Sequence, residues 1–194
     1  MTFTPPARLV FFRSLLLNPK AVGAVAPSSP KLSRLMASPV DPANQLVLEI
    51  GAGTGAVTRA LLERNVHPDR LLIVERDPSM VKFLRRQFPA VRVRCGEALH
   101  LGRILSSESV GKVNSVVSSL PLRNLALDDR IRNVRAMVDV LAHQGQLIQY
   151  TYAAGCPIPS RRLGLEAERL GRVWLNLPPA SVWRFTVKQP TAQY

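Results

Sequence analysis

Two cysteines, Cys95 and Cys156, are all that the 194 residues contain. That excludes a disulfide scaffold and a cysteine-rich metal site, and it fits free thiols in a reducing compartment. The histidines are equally few: His67, His100 and His143 have no companions at ligand spacing, so no metal is expected. No run approaches the roughly 20 apolar residues of a membrane span, which excludes an integral membrane helix. Acidic residues are scarce as well, 13 against 26 Lys and Arg, giving a formal charge of +13. Folding does not require such an excess. It points to a polyanionic partner, either nucleic acid or an anionic membrane surface. Of the 26 cations 21 are Arg, whose planar fork grips phosphate with two parallel hydrogen bonds.

What is present describes an ordinary folded chain. Hydrophobic residues at 46% with 20% charged exclude wholesale disorder, and the length suits one domain with at most an appendage. Near the N-terminus Arg8, an apolar stretch and Ala24-Val25-Ala26 imitate a secretory signal. Arg13 interrupts the apolar part, and Asn18-Pro19-Lys20 separates it from the cleavage-like triplet, so a signal peptide is not expected.

Thr4-Pro5-Pro6 starts a helix over 5–17 that carries Leu9, Phe11, Phe12, Leu15 and Leu16. Ser28-Ser29-Pro30 starts a second, short helix that ends before Pro39. From residue 46 the pattern alternates: strands over 46–50, 70–75, 91–95, 112–118 and 145–152, helices over 56–65, 78–88, 99–105 and 128–141. His143, just past the last of these helices, reads as a C-terminal cap. Strands separated by helices imply right-handed crossovers and a parallel sheet. A further helix is expected over 161–170. Strands over 172–177 and 182–188, joined only by Pro178-Pro179-Ala180-Ser181, must then be antiparallel. The expected fold class is α/β: a seven-stranded Rossmann-like sheet of five parallel strands and a C-terminal antiparallel hairpin, with N-terminal helices.

Chemistry concentrates where the strands end. Glu49-Ile50-Gly51-Ala52-Gly53-Thr54-Gly55 turns the first strand into the first crossover helix, where glycines let the backbone pass close to a ligand and leave amides free. The spacing Gly51-x-Gly53-x-x-Ala56 also satisfies the loose dinucleotide fingerprint. Three details favour S-adenosylmethionine: Glu49 placed to reach an ammonium, a third glycine at 55 suited to an amino-acid moiety, and the terminal hairpin. Glu75, 24 residues after Gly51, suits the two ribose hydroxyls, and Arg76 follows it. Glu97, within Cys95-Gly96-Glu97-Ala98, suits the adenine amino group. Ser118-Ser119-Leu120-Pro121-Leu122 is where an acceptor amine would meet the methyl group. Leu122 cannot stack on a planar base as a ring does, so an aliphatic amine fits better than a nucleobase.

Several segments together resemble the short bacterial phosphatidylethanolamine N-methyltransferases, the phospholipid N-methyltransferase family. They are Gly23-Ala24-Val25-Ala26-Pro27-Ser28-Ser29, Val47-Leu48-Glu49 with the glycine loop, and Val74-Glu75 with Asp77-Pro78. Leu120-Pro121-Leu122, Gln149-Tyr150-Thr151-Tyr152 and Asn176-Leu177-Pro178-Pro179-Ala180 continue the match, which spans about residues 10 to 185. Ala52, Glu97 and Tyr150 depart from the residues usual in that family.

The resemblance implies transfer of methyl groups from S-adenosylmethionine, leaving S-adenosylhomocysteine, to the head-group amine of phosphatidylethanolamine and its methylated forms, in phosphatidylcholine biosynthesis. It implies a cytoplasmic protein, peripheral on the inner face of the membrane, with residues 1–40 as membrane-binding or lid helices and 41–194 as the methyltransferase domain. Anionic membrane is then the polyanionic partner; neither nucleic acid nor a protein partner is expected.

The cofactor set is Gly23, Ser28, Ser29, Glu49, Gly51, Gly53, Thr54, Gly55, Glu75, Arg76, Gly96, Glu97, Ala98 and Ser118. Tyr152, Tyr150 and the backbone of Ser119, Leu120 and Pro121 are the catalytic candidates, orienting the amine. Lys20, Lys31, Arg34, Arg161, Arg162 and Arg184 are candidates for the lipid phosphate. Two other readings remain. One is an adenine dimethylase of ribosomal RNA, against which Leu122 and the ending at Tyr194 count. The other is a catalytically inactive module that docks on membranes.

Overall fold

The computed structural model describes residues 29–43, 46–176 and 178–188. The expected helix over 5–17, with Lys20, Gly23 and Ser28, lies outside them.

Seven strands form one sheet, β1 (Val47–Ile50), β2 (Leu71–Glu75), β3 (Arg92–Cys95), β4 (Val113–Ser118), β5 (Leu141–Thr151), β6 (Leu165–Val173) and β7 (Ala180–Val187). Their order is β3-β2-β1-β4-β5-β7-β6, with β7 antiparallel to both neighbours and the other pairs parallel. This is the seven-stranded Rossmann-like arrangement expected from the sequence, hairpin included. β1 reads Val-Leu-Glu-Ile and is buried throughout, because helices cover both faces of a parallel sheet. On one face lie α1 (Pro30–Ala37), α2 (Ala56–Glu63) and α3 (Pro78–Gln87), closing a core of Leu32, Met36, Val47, Leu61, Ile73 and Leu84. On the other lie α4 (Leu101–Ser107) and α5 (Leu127–Asp139), over Leu48, Ile50, Val116, Met137 and Leu147.

Local chemistry sets the boundaries. Ser29 caps α1 by accepting from the Leu32 amide at 3.3 Å, with Pro30 in the first turn. Asp77 caps α3 through the amides of Ser79 and Met80. α1 is fully part of the core, with Leu32, Met36 and Ala37 at 0% exposure.

Three expectations change. Residues 161–170 are not a helix: a 3-10 turn, Ser160–Leu163, closes at Gly164 with φ +64°, and β6 follows. Leu-Glu-Ala-Glu-Arg-Leu is good helix material, but pairing along β7 from Leu165↔Val187 to Val173↔Ala180 overrides the propensity. The charged residues suit this outermost strand, where they discourage pairing with other chains. The hairpin turn therefore occupies 174–179 rather than 178–181. His143 caps no helix either, because α5 ends at Asp139 and His143 is exposed within β5.

Candidate active site

The carboxyl ends of the parallel strands gather the chemistry on one edge. After β1 the chain bends through Gly51, Gly53 and Gly55, all at positive φ (71°, 54° and 78°). Gly51 donates to the Val74 carbonyl at 2.9 Å, tying the loop to β2. Gly55 is the N-cap of α2, and a Cβ there would strike the Phe88 ring at 2.4 Å. Its smallness thus serves packing against Phe88. Gly96 is similar, with Ile104 at 2.6 Å from a Cβ. Gly53 is different: nothing lies within 4 Å of a Cβ built there. It is the point of the loop open to a close-lying ligand, beside the uncapped N-terminus of α2. Thr54, next to it, is exposed.

Two carboxylates frame this loop. Glu49 on β1 is 0% exposed; one oxygen accepts from the Thr58 hydroxyl at 2.7 Å. Its other oxygen, Oε1, is buried with no hydrogen-bond partner among the described residues. Burial pushes the Glu49 carboxyl up to about 7, the Thr58 hydrogen bonds oppose this, and the nearby Glu75 charge adds to it. Glu75 at the end of β2 accepts from the Gly53 amide at 3.0 Å and from the Asp77 amide at 3.1 Å. A buried acceptor with an unmet lone pair, a glycine with open space and a carboxylate anchored beside it fit a nucleoside ligand that carries an ammonium group. The residues present therefore fit S-adenosylmethionine.

The segment expected to meet the acceptor follows β4. Ser118 is buried, and its hydroxyl accepts from the Leu120 amide at 3.3 Å. Leu120 touches the glycine loop, lying 3.1 Å from a Cβ built on Gly51. The Leu120 carbonyl already accepts from the Leu122 amide at 2.8 Å and from Gln149 Nε2 at 3.0 Å, and the Pro121 carbonyl accepts from the Asn124 amide. Leu122 is 1% exposed and packs in the core, so whatever meets an acceptor here is Ser119, Leu120 or Pro121. Arg130 from α5 clasps the segment, donating to the carbonyls of Leu122, Arg123 and Leu125.

Tyr150 near the end of β5 and Tyr152 just past it meet edge to face, with ring centroids 5.4 Å apart. Tyr150 is buried in the core; burial, with Tyr152 beside it, holds its phenol well above the ordinary range. Tyr152 is half-buried and also raised by burial, which hydrogen bonds with Tyr150 and Asn176 partly offset. Both are neutral phenols near pH 7, suited to orienting a nitrogen and not to removing its proton as a phenolate.

Of the remaining candidates, Arg76 and Glu97 are exposed at this same edge and Ala98 is buried. Ser29 is brought to it as well, donating its amide to Asn176 Oδ1 at 3.2 Å. Among the described residues the phosphate candidates do not converge. Lys31 and Arg34 are exposed on α1. Arg184 is paired with Glu168 across the hairpin, Nε to Oε2 at 3.0 Å. Arg161 and Arg162 precede β6, which runs parallel to β5, so they sit at the opposite end of the sheet. A cavity of about 650 Å³ also lies at that far end, lined by Leu46, His67 and Arg92 among others, and includes no candidate residue. Gln149, Arg130, Thr58 and Asn176 had no assigned role in the sequence reading. Only Gln149 and Asn176 carried a signal, as members of the family-like segments.

The family described as "Methyltransferase domain" matches residues 47–145. The ornithine lipid N-methyltransferase of Singulisphaera acidiphila is 34% identical over 148 residues, 73% of this chain and 76% of that protein. Ribosomal RNA small subunit methyltransferase A of Thiobacillus denitrificans is 31% identical over 151 residues, 72% of this chain but 54% of that protein. Among solved structures, the TehB-like SAM-dependent methyltransferase from Corynebacterium glutamicum superposes with TM-score 0.62 at 20% identity, covering 95% of this chain and 100% of that one. The Bacillus cereus O-methyltransferase in complex with S-adenosylhomocysteine gives TM-score 0.64 at 14% identity, covering 97% and 94%. Likeness at that identity speaks for the fold.

Proposed function

Because the chain belongs to the methyltransferase domain family and uses S-adenosylmethionine, we propose that it methylates the head-group amine of a membrane lipid, phosphatidylethanolamine and its methylated forms. Its working place is then the inner face of the cytoplasmic membrane, which the charge of +13 would attract. The acceptor segment carries the reading: after β4 no aromatic ring follows Pro121, and Leu122 is turned into the core. A small aliphatic amine needs no stacking surface there, whereas a base does. The ornithine lipid N-methyltransferase among the relatives supports an amine-bearing lipid as acceptor.

S-adenosylmethionine supplies, when bound, a methyl group on a sulfonium sulfur that an amine nitrogen displaces in line. The glycine loop, Glu49 and Glu75 would hold it, Glu49 offering the ammonium the oxygen that Thr58 leaves unused and Glu75 offering its carboxylate to the ribose hydroxyls. The protein's remaining task is to align the nitrogen, exclude water, and receive the amine as its free base, the ammonium proton having passed to solvent before the site closes. The Leu120 carbonyl already accepts two hydrogen bonds, so the Ser119 and Pro121 carbonyls and the Tyr152 hydroxyl, which also bonds Tyr150 and Asn176, are the groups of the expected set that would orient the amine. Tyr150 supports Tyr152 from within the core.

A second reading, methylation of adenine in ribosomal RNA, is favoured by the likeness to the Thiobacillus enzyme. One experiment separates the two: purified protein with labelled S-adenosylmethionine, offered phosphatidylethanolamine vesicles or unmethylated small-subunit rRNA. Label in the lipid supports the proposal. Label in the RNA alone replaces it.

A further inference from the structure

The turn between β6 and β7 holds two adjacent large apolar side chains in water: Trp174 is 69% exposed and Leu175 75%. Among the described residues the other exposed large apolar ones, Phe83, Leu99, Leu127 and Val187, occur singly on separate elements, as on most protein surfaces. The turn is well anchored. Val173 before the pair is buried, and Asn176 after it is 3% exposed. Asn176 accepts from the Ser29 amide, donates to the Pro178 carbonyl at 2.9 Å and bonds the Tyr152 side chain. The backbone on both sides is thus fixed while Trp174 and Leu175 project between.

Place and charge say what they meet. β6 runs parallel to β5, so the turn follows the carboxyl ends of the strands and shares the edge of Gly51, Glu75 and Tyr152. The Arg172 guanidinium lies 4.3 Å from the centroid of the Trp174 ring. Lys31 is exposed in the first turn of α1, whose cap residue Ser29 is bonded to Asn176. An indole and a leucine flanked by cations, on a chain of +13, match the head-group layer of an anionic bilayer. Apolar groups enter its boundary there and guanidinium meets phosphate. We propose that the 174–179 turn is a membrane-docking element that seats Trp174 and Leu175 in that layer, bringing the site edge against the lipid. Its purpose rests on the lipid reading above; its existence as a surface does not.

The test uses the full chain with Trp183→Phe, which leaves Trp174 as the single tryptophan. With vesicles of phosphatidylethanolamine and phosphatidylglycerol, Trp174 emission shifts to the blue and is quenched by lipids brominated near the head group. Trp174→Ser with Leu175→Ser lowers vesicle partitioning on the order of 30-fold, while affinity for S-adenosylhomocysteine stays unchanged and vouches for the fold. Methyl transfer to vesicle lipid falls in proportion, but transfer to a short-chain lipid amine dispersed as monomers does not. Emission unmoved in protein that binds vesicles overturns the proposal. So does emission already blue without lipid, which means that this chain covers the turn. A concentration-dependent blue shift without lipid assigns it to a second copy instead. Should the wild type methylate neither form of lipid, the lipid reading fails, and the emission still decides the turn.

Discussion

The carboxylate of Glu75 accepts a hydrogen bond from the Gly53 amide at 3.0 Å, joining the end of β2 to the glycine loop. Its second oxygen accepts from the Asp77 amide, so the carboxylate is oriented by backbone on both sides. Replacing Glu75 by Ala removes this anchor together with the acceptor proposed for the ribose hydroxyls. Affinity for S-adenosylhomocysteine should fall by about 2–4 kcal/mol, the worth of two charge-assisted hydrogen bonds. Calorimetric titration measures it, and an unchanged affinity in a folded variant would remove Glu75 from the site.

Gly53 tests the loop from the other side. At φ +54° an added side chain is strained by roughly 1–2 kcal/mol, yet open space surrounds it. Gly53→Val should therefore fold with a modestly lower melting temperature and bind no S-adenosylhomocysteine. Wild-type affinity would place the pocket elsewhere.

The parallel sheet, its glycine loop and Glu75 were legible because each rests on local signals: apolar runs, glycines at a strand end, an acid at the next. The parts that misled depend on distant contacts. Nothing in 161–170 announces that β7 will claim it as a strand. Nor does the sequence show that Gly55 must stay small because Phe88 packs beside it. The bonds from Gln149 and Leu122 to the Leu120 carbonyl, which decide which acceptor groups remain, are invisible without the fold.

Glu49 gives the stability a pH dependence. Its carboxyl titrates near 4.5 when unfolded and about 7 in the native protein. The folded state therefore holds the extra proton between those values. Its contribution is full below pH 4.5 and is lost as pH rises through 7, by about 3 kcal/mol. Denaturant titrations from pH 5 to 8 should show this decline, and Glu49→Gln should flatten it. Affinity for S-adenosylhomocysteine should move the opposite way, rising with pH as Glu49 ionises to meet the ammonium. Parallel slopes in wild type and Glu49→Gln would discard the assignment.

Gln149 is placed to position the segment after β4. It is fully buried and donates to the Leu120 and Tyr150 carbonyls, holding the acceptor segment to β5. Gln149→Leu keeps the volume, and it removes an oxygen, Oε1, that has no partner among the described residues. The fold should tolerate the change. Methyl transfer should drop in kcat by up to about 10²-fold, because displacement of the segment by an ångström misaligns the nitrogen. Affinity for S-adenosylhomocysteine should hold, since no atom of Gln149 belongs to that set. A variant that lost cofactor affinity instead would show Gln149 to be structural for the whole edge.

The last expectation concerns the segment before α1. If residues 5–17 anchor the protein as the sequence suggests, Leu9, Phe11, Phe12, Leu15 and Leu16 bury apolar area, while the +13 chain is attracted to anionic lipid. Only the second force is screened, as the Debye length falls from about 10 Å at 0.1 M salt to 3 Å at 1 M. Flotation should show strong binding to anionic vesicles, weaker binding to neutral ones, and partial release by salt. Deleting residues 1–17 should remove most of the salt-resistant part, with only the Trp174 turn left to supply any, and should leave affinity for S-adenosylhomocysteine intact because Glu49, Gly53 and Glu75 are untouched. Cofactor affinity lost with vesicle binding undiminished would make the segment a lid on the domain. Equal vesicle binding by both forms at both salt levels would rule out the anchor.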